Sequence, residues 1–230
     1  LVRPVVLVVN NAAAIALAFA AGVFAKESAV TAMAVPLLAA LLLPGGARER
    51  RRDIIVAAAM TAGFLLYVAV RAAAGGSFVA SAAGDQLDNP LAVVDPGTRL
   101  LGAVAVLGRY LGLTVWPYPL SVDYSFDALG IGAGFVADRF SAIALVGLFA
   151  LGLACWKLGH TVAFALLLAA SAYSLVSNTV LMIGTVMAER LFYIPTIGLA
   201  LAVAPGVDAV LARRRNTGIA TAAIAAVCAA

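Results

Sequence analysis

Apolar segments of membrane-spanning length recur along this chain, and they constrain its fold more than any other feature. A helix that crosses a bilayer needs about 20 apolar residues, so each such segment predicts one crossing. Hydrophobic residues make up 64% of the 230 positions and charged residues only 11%, whereas soluble domains carry about a quarter charged residues. The composition therefore predicts an all-α, polytopic transmembrane helical bundle. The predicted spans are residues 5–25, 28–43, 54–73, 141–156, 161–183 and 191–211.

The two ends of the chain predict that it is part of a longer protein. It begins at Leu1 without an initiator methionine, and residues 218–230 form a further apolar segment that stops at Ala230. About six or seven membrane segments are therefore expected. We interpret residues 1–230 as part of one integral membrane domain.

Arginine clusters predict how the spans are oriented. One cluster lies within residues 48–52 and another at residues 213–215, and such clusters stay on the cytoplasmic side. Residues 100–116 are ambiguous, because a full crossing there would leave residues 213–215 outside. An interfacial or re-entrant helix keeps both clusters inside, and we favour it for that reason. The polar sequences around Lys26, in residues 75–140 and around Glu189 then share one extracytoplasmic surface.

Two short polar motifs interrupt the apolar pattern. Lys26 and Glu27 lie in FAKESAVT at a tight junction between helices, where charges pair or line a polar cavity. Alternatively, Lys26 extends to water at the interface. Glu189 and Arg190 lie in MAERLFYIPTIG, and adjacent residues do not face each other on a helix. We therefore expect Arg190 to bind a phosphate, and Glu189 to meet Lys26 or a substrate hydroxyl.

Two further arginines, Arg99 and Arg109, lie on roughly one flank of the helix predicted after the Asp95–Pro96–Gly97 turn. Thr98 is the expected cap of that helix. An arginine on a helix that dips into lipid is a suitable partner for a lipid phosphate. The alternative is an amphipathic helix lying at the membrane surface.

Polar side chains close to these cations predict a pocket for a sugar or an acceptor. The aromatic and polar sequence WPYPLSVDYSF at residues 116–126 could stack on a sugar ring, or could belong to the headgroup belt. Ser177 and Asn178 lie inside the predicted span 161–183, where we expect them to face protein. The predicted pocket residues are Glu27, Asp88, Asn89, Asp123, Tyr124, Ser125, Asn178, Glu189 and Tyr193.

Other kinds of site are not predicted. His160 is the single histidine and has no ligand set around it, so the sequence contains no metal site of its own. The net charge of +4 comes from bases beside the predicted spans, and it does not form a nucleic-acid-binding face. We expect no nucleic acid among the partners.

Three of these motifs, in this order, resemble a known family. KES, then DNP, TR, GRYLGL and WPYPLSVDYSF, and then SN with GTVMAERLFYIPTIG resemble the membrane part of the TMTC-type proteins, which are transmembrane proteins carrying tetratricopeptide repeats. The resemblance runs from about residue 24 to residue 198. These proteins are similar to the GT-C glycosyltransferases, which are multi-span enzymes using a polyprenyl-phosphate sugar on the extracytoplasmic side.

The resemblance implies a function as well as a fold. It implies transfer of a sugar, mannose in the animal members, to a protein serine or threonine or to another acceptor. Arg190, Lys26, Arg109 and Arg99 would bind the donor phosphate, and a divalent cation is compatible with the chemistry. The catalytic carboxylate would precede Leu1 in the first extracytoplasmic loop, and the repeats would follow Ala230. The alanine-rich composition and the preference for arginine point to a bacterial inner membrane.

Two rival functions remain open at this stage. A lipid-linked sugar transporter or flippase would usually contain repeated halves with interrupted spans. A non-catalytic membrane anchor for a repeat domain would tolerate substitution of Glu189 and Arg190 without loss of activity.

Overall fold

A computed structural model describes residues 11–75, 89–121, 124, 139–157, 159–179 and 182–213. Seven α-helices lie in these ranges, joined by short 3₁₀ helices, and no strand occurs in them. The predicted all-α class is therefore confirmed. The α-helices are α1 Ala12–Ala25, α2 Ala34–Leu42, α3 Ala47–Ala73, α4 Pro96–Val115, α5 Arg139–Lys157, α6 His160–Ser174 and α7 Tyr193–Arg213. The 3₁₀ helices are Glu27–Met33, Pro90–Ala92 and Glu189–Leu191.

Local sequence explains where α4 begins. The Asp95 carboxylate accepts hydrogen bonds from the backbone amides of Gly97 and Thr98, at 2.9 and 3.1 Å. Pro96 occupies the first helical turn, where its missing N–H costs nothing. Asp95, and not the predicted Thr98, is therefore the cap. A side-chain hydrogen bond with Thr98, together with these backbone hydrogen bonds, lowers the pKa of the Asp95 carboxyl group by stabilising its charged form.

Close contacts between backbones join the helices in pairs. α1 packs on α3, α4 on α5, and α6 on α7, while α2 links the first group to α6. A glycine lies at the closest point of each pair. Gly63 faces the Ala16 carbonyl, Gly108 faces the Phe140 carbonyl, and Gly198 faces the Ala165 carbonyl. Small residues of this kind let apolar helices approach closely, as in membrane proteins.

Two of the described helices, Ala47–Ala73 and Pro96–Val115, are long and apolar enough to cross a membrane. The other apolar helical stretches in the part of the chain that the structure describes, such as Tyr193–Asp208 within α7, are shorter. The predicted number of six or seven spans is therefore not supported. Large apolar side chains are nevertheless exposed, among them Leu41 at 75%, Phe149 at 75% and Val115 at 84%. Lipid is an environment that would cover such a surface.

The predicted span at residues 161–183 is too long, because α6 ends at Ser174. Asn178 follows with a φ of 58°, in the left-handed region that a continuing helix cannot use. Ser177 and Asn178 therefore lie in a loop and not in a span. The predicted interfacial or re-entrant helix at residues 100–116 is part of α4, whose 20 residues and apolar composition fit either a crossing or an interfacial position.

Charged residues lie at both ends of helix α3. Four arginines lie in its first two turns, at positions 48, 50, 51 and 52, and Arg71 lies in its last turn. From Arg51 to Arg71 the helix rises roughly 30 Å, which matches the thickness of a bilayer's hydrocarbon core. If α3 spans a membrane, its two charged ends lie at opposite interfaces. Arg71 lies at the same end as Glu27 and Lys26.

Candidate functional site

Polar motifs that are far apart in sequence meet at the Arg71 end of α3 and at the start of α7. The Lys26 ammonium nitrogen lies 5.8 Å from the centre of the Tyr193 ring. Glu189 Oε1 accepts hydrogen bonds from the Tyr124 hydroxyl at 2.7 Å and from the Ser121 backbone amide at 2.9 Å. We call these residues, with Arg190, the polar end. Lys26 was predicted as a partner of Glu189, but within the described residues it makes no hydrogen bond to that carboxylate.

Burial, the hydrogen bond to Glu189 and the negative charge of Glu189 together raise the pKa of the Tyr124 hydroxyl to about 12. The positive charge of Arg109 acts in the opposite direction and lowers this pKa. Tyr124 therefore keeps its proton at neutral pH and donates it in the hydrogen bond to Glu189. This bond leaves Glu189 half-buried and held in place.

Tyr110 on α4 holds the backbone just before Glu189. Its hydroxyl donates to the Ala188 carbonyl at 2.9 Å and accepts from the Ala188 amide at 2.9 Å. The Tyr110 ring stacks on Phe192, with 4.5 Å between ring centres and an angle of 7° between planes. The 3₁₀ helix Glu189–Leu191 is thus anchored on both sides by one buried tyrosine. Sequence analysis did not identify Tyr110, although it lies next to Arg109.

Asn89 and Asn178 form a buried pair beneath the same segment. Asn89 Nδ2 donates to Asn178 Oδ1 at 2.9 Å and to the Ile183 carbonyl at 2.7 Å. Asn178 Nδ2 donates to the Thr185 carbonyl at 3.1 Å, and its Oδ1 accepts from the Ile183 amide at 3.0 Å. The two residues are 0% and 1% exposed. Both were predicted to line a sugar pocket, and here they bind backbone, so they position the loop before Glu189.

Glu27 is engaged by two residues to which the sequence analysis assigned no role. Its Oε1 accepts from an Arg71 guanidinium nitrogen and from the Tyr67 hydroxyl, the latter at 3.2 Å. Arg71 also donates to the Tyr67 hydroxyl at 2.8 Å. Tyr67 and Arg71 are four residues apart on α3, so they lie on one face of that helix. A tyrosine and an arginine four residues apart at the end of a long apolar helix could have identified this pair from the sequence.

The two cations at the polar end differ from the other predicted phosphate ligands. Arg190 and Lys26 are exposed, and neither side chain makes a hydrogen bond or an ion pair with the described residues. Arg99 instead donates to the carbonyls of Leu91 and Val94, at 3.1 and 3.3 Å. Arg109 lies over the Phe140 ring, 4.4 Å from its centre. Arg190 and Lys26 are therefore the cations of this set that remain available to an anion.

An apolar groove of 1520 Å³ opens between α4, α5, α6 and α7. Apolar side chains line it almost throughout, including Leu107, Val146, Leu166 and Val203. It extends from Phe192, which immediately precedes α7 and lies two residues after Arg190, to Gly206 on α7. On α4 it reaches Trp116, five residues before Ser121. The groove therefore begins beside the polar end and continues along the apolar bodies of four helices.

Three predicted pocket residues, Asp88, Asp123 and Ser125, lie outside the described ranges. Within those ranges, no group of three or more histidine, cysteine or acidic side chains is arranged to hold a metal ion. Tyr193, which is 51% exposed, presents its ring at the polar end beside Lys26. Of the predicted pocket residues, the structure thus brings Tyr124, Glu189 and Tyr193 to one surface.

No protein-family model, curated protein or solved structure matches this chain.

Proposed function

We propose that this protein is a membrane glycosyltransferase that uses a polyprenyl-phosphate sugar. Mannose is the sugar that the family resemblance implies. The acceptor is a serine or threonine hydroxyl of a protein, or another hydroxyl, on the extracytoplasmic face. The architecture that goes with this proposal is a multi-pass, GT-C-like bundle in a bacterial inner membrane.

One observation carries the proposal: two available cations lie where a long apolar groove begins. Both are exposed at the polar end, and Arg190 is two residues before Phe192, which lines the groove. The Lys26 ammonium lies 5.8 Å from the centre of the ring of Tyr193, the residue after Phe192. A polyprenyl phosphate has the same two parts, an anionic head and a long apolar chain. Arginine in particular matches the geometry of a phosphate group with its planar set of donors.

The chemistry assigns a role to each group at the polar end. In the transfer, the bond between the anomeric carbon and the phosphate oxygen breaks, and the phosphate oxygen keeps the electron pair. The acceptor oxygen forms the new bond and gives its proton to a carboxylate, which the resemblance expects before Leu1. Arg190 and Lys26 stabilise the charge that develops on the leaving phosphate. Tyr193 offers an aromatic face to the sugar, and Tyr124 holds Glu189 beside it.

Binding of the donor can be tested apart from transfer. Membranes containing the protein are incubated with a radiolabelled polyprenyl phosphate that carries a photoreactive group on its chain. Arg190→Ala and Lys26→Ala should each weaken crosslinking about tenfold or more, because each removes a charged hydrogen-bond donor. Arg190→Lys should restore part of the loss. Crosslinked peptides should come from groove-lining segments of α4 or α7.

Lys157→Ala provides the matched control, since Lys157 is an exposed cation at the far end of α5. Its crosslinking should equal that of the wild type. Equal crosslinking by all of these variants would refute the proposed donor site. Donor binding followed by flipping without sugar transfer would instead identify a lipid-linked sugar transporter. A stable protein that binds no donor would fit the membrane anchor.

A further inference from the structure

The arginine-rich beginning of α3 lies at the end of that helix opposite the polar end, and the proposed function does not use it. Its first two turns contain four arginines, at positions 48, 50, 51 and 52, and two acids, Glu49 and Asp53. Arg52 is already paired, because its Nε and Nη2 donate to Asp53 Oδ1 at 2.9 and 2.8 Å. Arg48, Arg50 and Arg51 make no hydrogen bond or ion pair through their side chains with the described residues. Three arginine charges therefore lack an acceptor here.

Two of these arginines line a cavity. A 570 Å³ pocket is bounded by Gly45, Gly46, Arg50, Arg51 and Ile54, together with Ala47 and Ile55. Positions 47, 50, 51, 54 and 55 follow helical spacing, so one face of α3 forms the wall, with the two arginines at one level and the two isoleucines one turn further along the helix. The pocket therefore joins a cationic part to an apolar part.

The free amides at the start of the helix are not the groups that would bind an anion here. The Glu49 carboxylate lies beside Gly46, 3.0 Å from the place where a side chain at that position would begin. That carboxylate already occupies the space next to the helix end. The unpaired arginines of the neighbouring face remain as the groups that attract an anion.

We propose that this pocket binds the headgroup of an anionic phospholipid. Charge complementarity selects the headgroup, because Arg50 and Arg51 face the pocket without an acceptor. The surrounding surface selects a lipid over a soluble anion, since Ile54 is 55% exposed and Leu41, at the end of α2, is 75% exposed. Acyl chains would cover these apolar side chains while the phosphate lies between the two arginines. Basic clusters beside a spanning helix are a recognised basis of such binding.

This inference requires that α3 lies in a membrane, but it does not require glycosyl transfer. Arg51 and Arg71 are roughly 30 Å apart along α3, so the pocket would lie at the interface opposite to the proposed donor site. Anionic lipid bound there would hold that end of α3 at the headgroup level.

The experiment measures lipid binding to the purified full chain in detergent by native mass spectrometry. Phosphatidylglycerol is compared with phosphatidylcholine for the wild type, for the double variant Arg50→Gln/Arg51→Gln, and for Arg52→Gln. The wild type should prefer phosphatidylglycerol. Because each basic residue contributes roughly fivefold, the double variant should lose about 25-fold of that affinity. Arg52→Gln is the matched control and should keep the preference, since Arg52 is already paired with Asp53.

Three results would overturn the proposal. One is equal affinity of the wild type for the two lipids, and another is a loss in Arg52→Gln as large as in the double variant. The third is complete displacement of the lipid by glycerol 3-phosphate, which would show a site for soluble phosphate esters. If circular dichroism shows that the double variant does not fold, the wild type is titrated in rising salt. Its preference for phosphatidylglycerol should then disappear, and a preference insensitive to salt would reject the site.

Discussion

Tyr124 donates a hydrogen bond at 2.7 Å to Glu189, 65 positions further along the sequence, and this bond connects the loop after α4 to the start of α7. The backbone amide of Ser121 reaches the same carboxylate oxygen. One carboxylate thus holds together two segments whose residues were predicted separately as parts of a pocket. Arg190, the next residue, is left exposed.

Removing the Tyr124 hydroxyl should therefore destabilise the protein modestly. We expect Tyr124→Phe to lower the free energy of unfolding by about 1 kcal/mol, since a hydrogen bond to a charged acceptor is lost at a partly exposed site. Unfolding in detergent with increasing dodecyl sulfate measures this. Tyr118→Phe is the control, because Tyr118 is 76% exposed and should show no change. An equal loss in both variants would contradict a specific bond.

The same hydroxyl predicts a dependence of stability on alkaline pH. The pKa of Tyr124 is raised from 10.0 to about 12 in the folded protein, so folding favours the protonated form. This contribution is complete below pH 10 and is lost as the pH rises through about 12. The stability of the wild type should therefore decrease between these values, and that of Tyr124→Phe should decrease less. Parallel pH profiles for the two proteins would argue against the shift.

Asn178 should be among the positions most sensitive to substitution. Asn178→Ala removes the acceptor of the Asn89 amide and leaves buried groups without partners, so we expect a loss of roughly 2–4 kcal/mol. Asn178→Gly loses the same hydrogen bonds but accepts the φ of 58° without strain. It should be more stable than Asn178→Ala by about 1 kcal/mol. The reverse order in a denaturation series would show that backbone strain is not important there.

Close packing between α4 and α5 can be tested with two glycines on one helix. A side chain at Gly108 would collide with the Phe140 carbonyl, whereas one at Gly112 would meet nothing within 4 Å. Gly108→Ala should destabilise the protein by about 1–3 kcal/mol through overpacking. Gly112→Ala should be neutral or stabilise by up to about 1 kcal/mol, because alanine favours helix. Similar thermal stability of both variants would contradict the observed packing of α4 on α5.

Much of the secondary structure could be predicted from apolar periodicity. The predictions that the structure corrected lie where this periodicity ends. The long run 161–183 looked like one span, but α6 ends at Ser174 because the buried Asn89–Asn178 pair binds the following loop. Thr98 and Asp95 are both typical caps, and only the geometry distinguished them. Whether a helix such as α4 crosses or lies along an interface depends on its packing and its surroundings, which local sequence does not contain.

The sequence by itself determined the helical class, the apolar character of the chain and the polar residue types at the helix junctions. Tertiary structure decided which partner each of those residues takes. Glu27 meets Arg71 over 44 positions, Asn89 meets Asn178 over 89, and Tyr110 holds Ala188 over 78. Helical periodicity relates residues three or four positions apart, whereas these hydrogen bonds form only after distant helices pack together. The same packing leaves Lys26 and Arg190 available at the polar end.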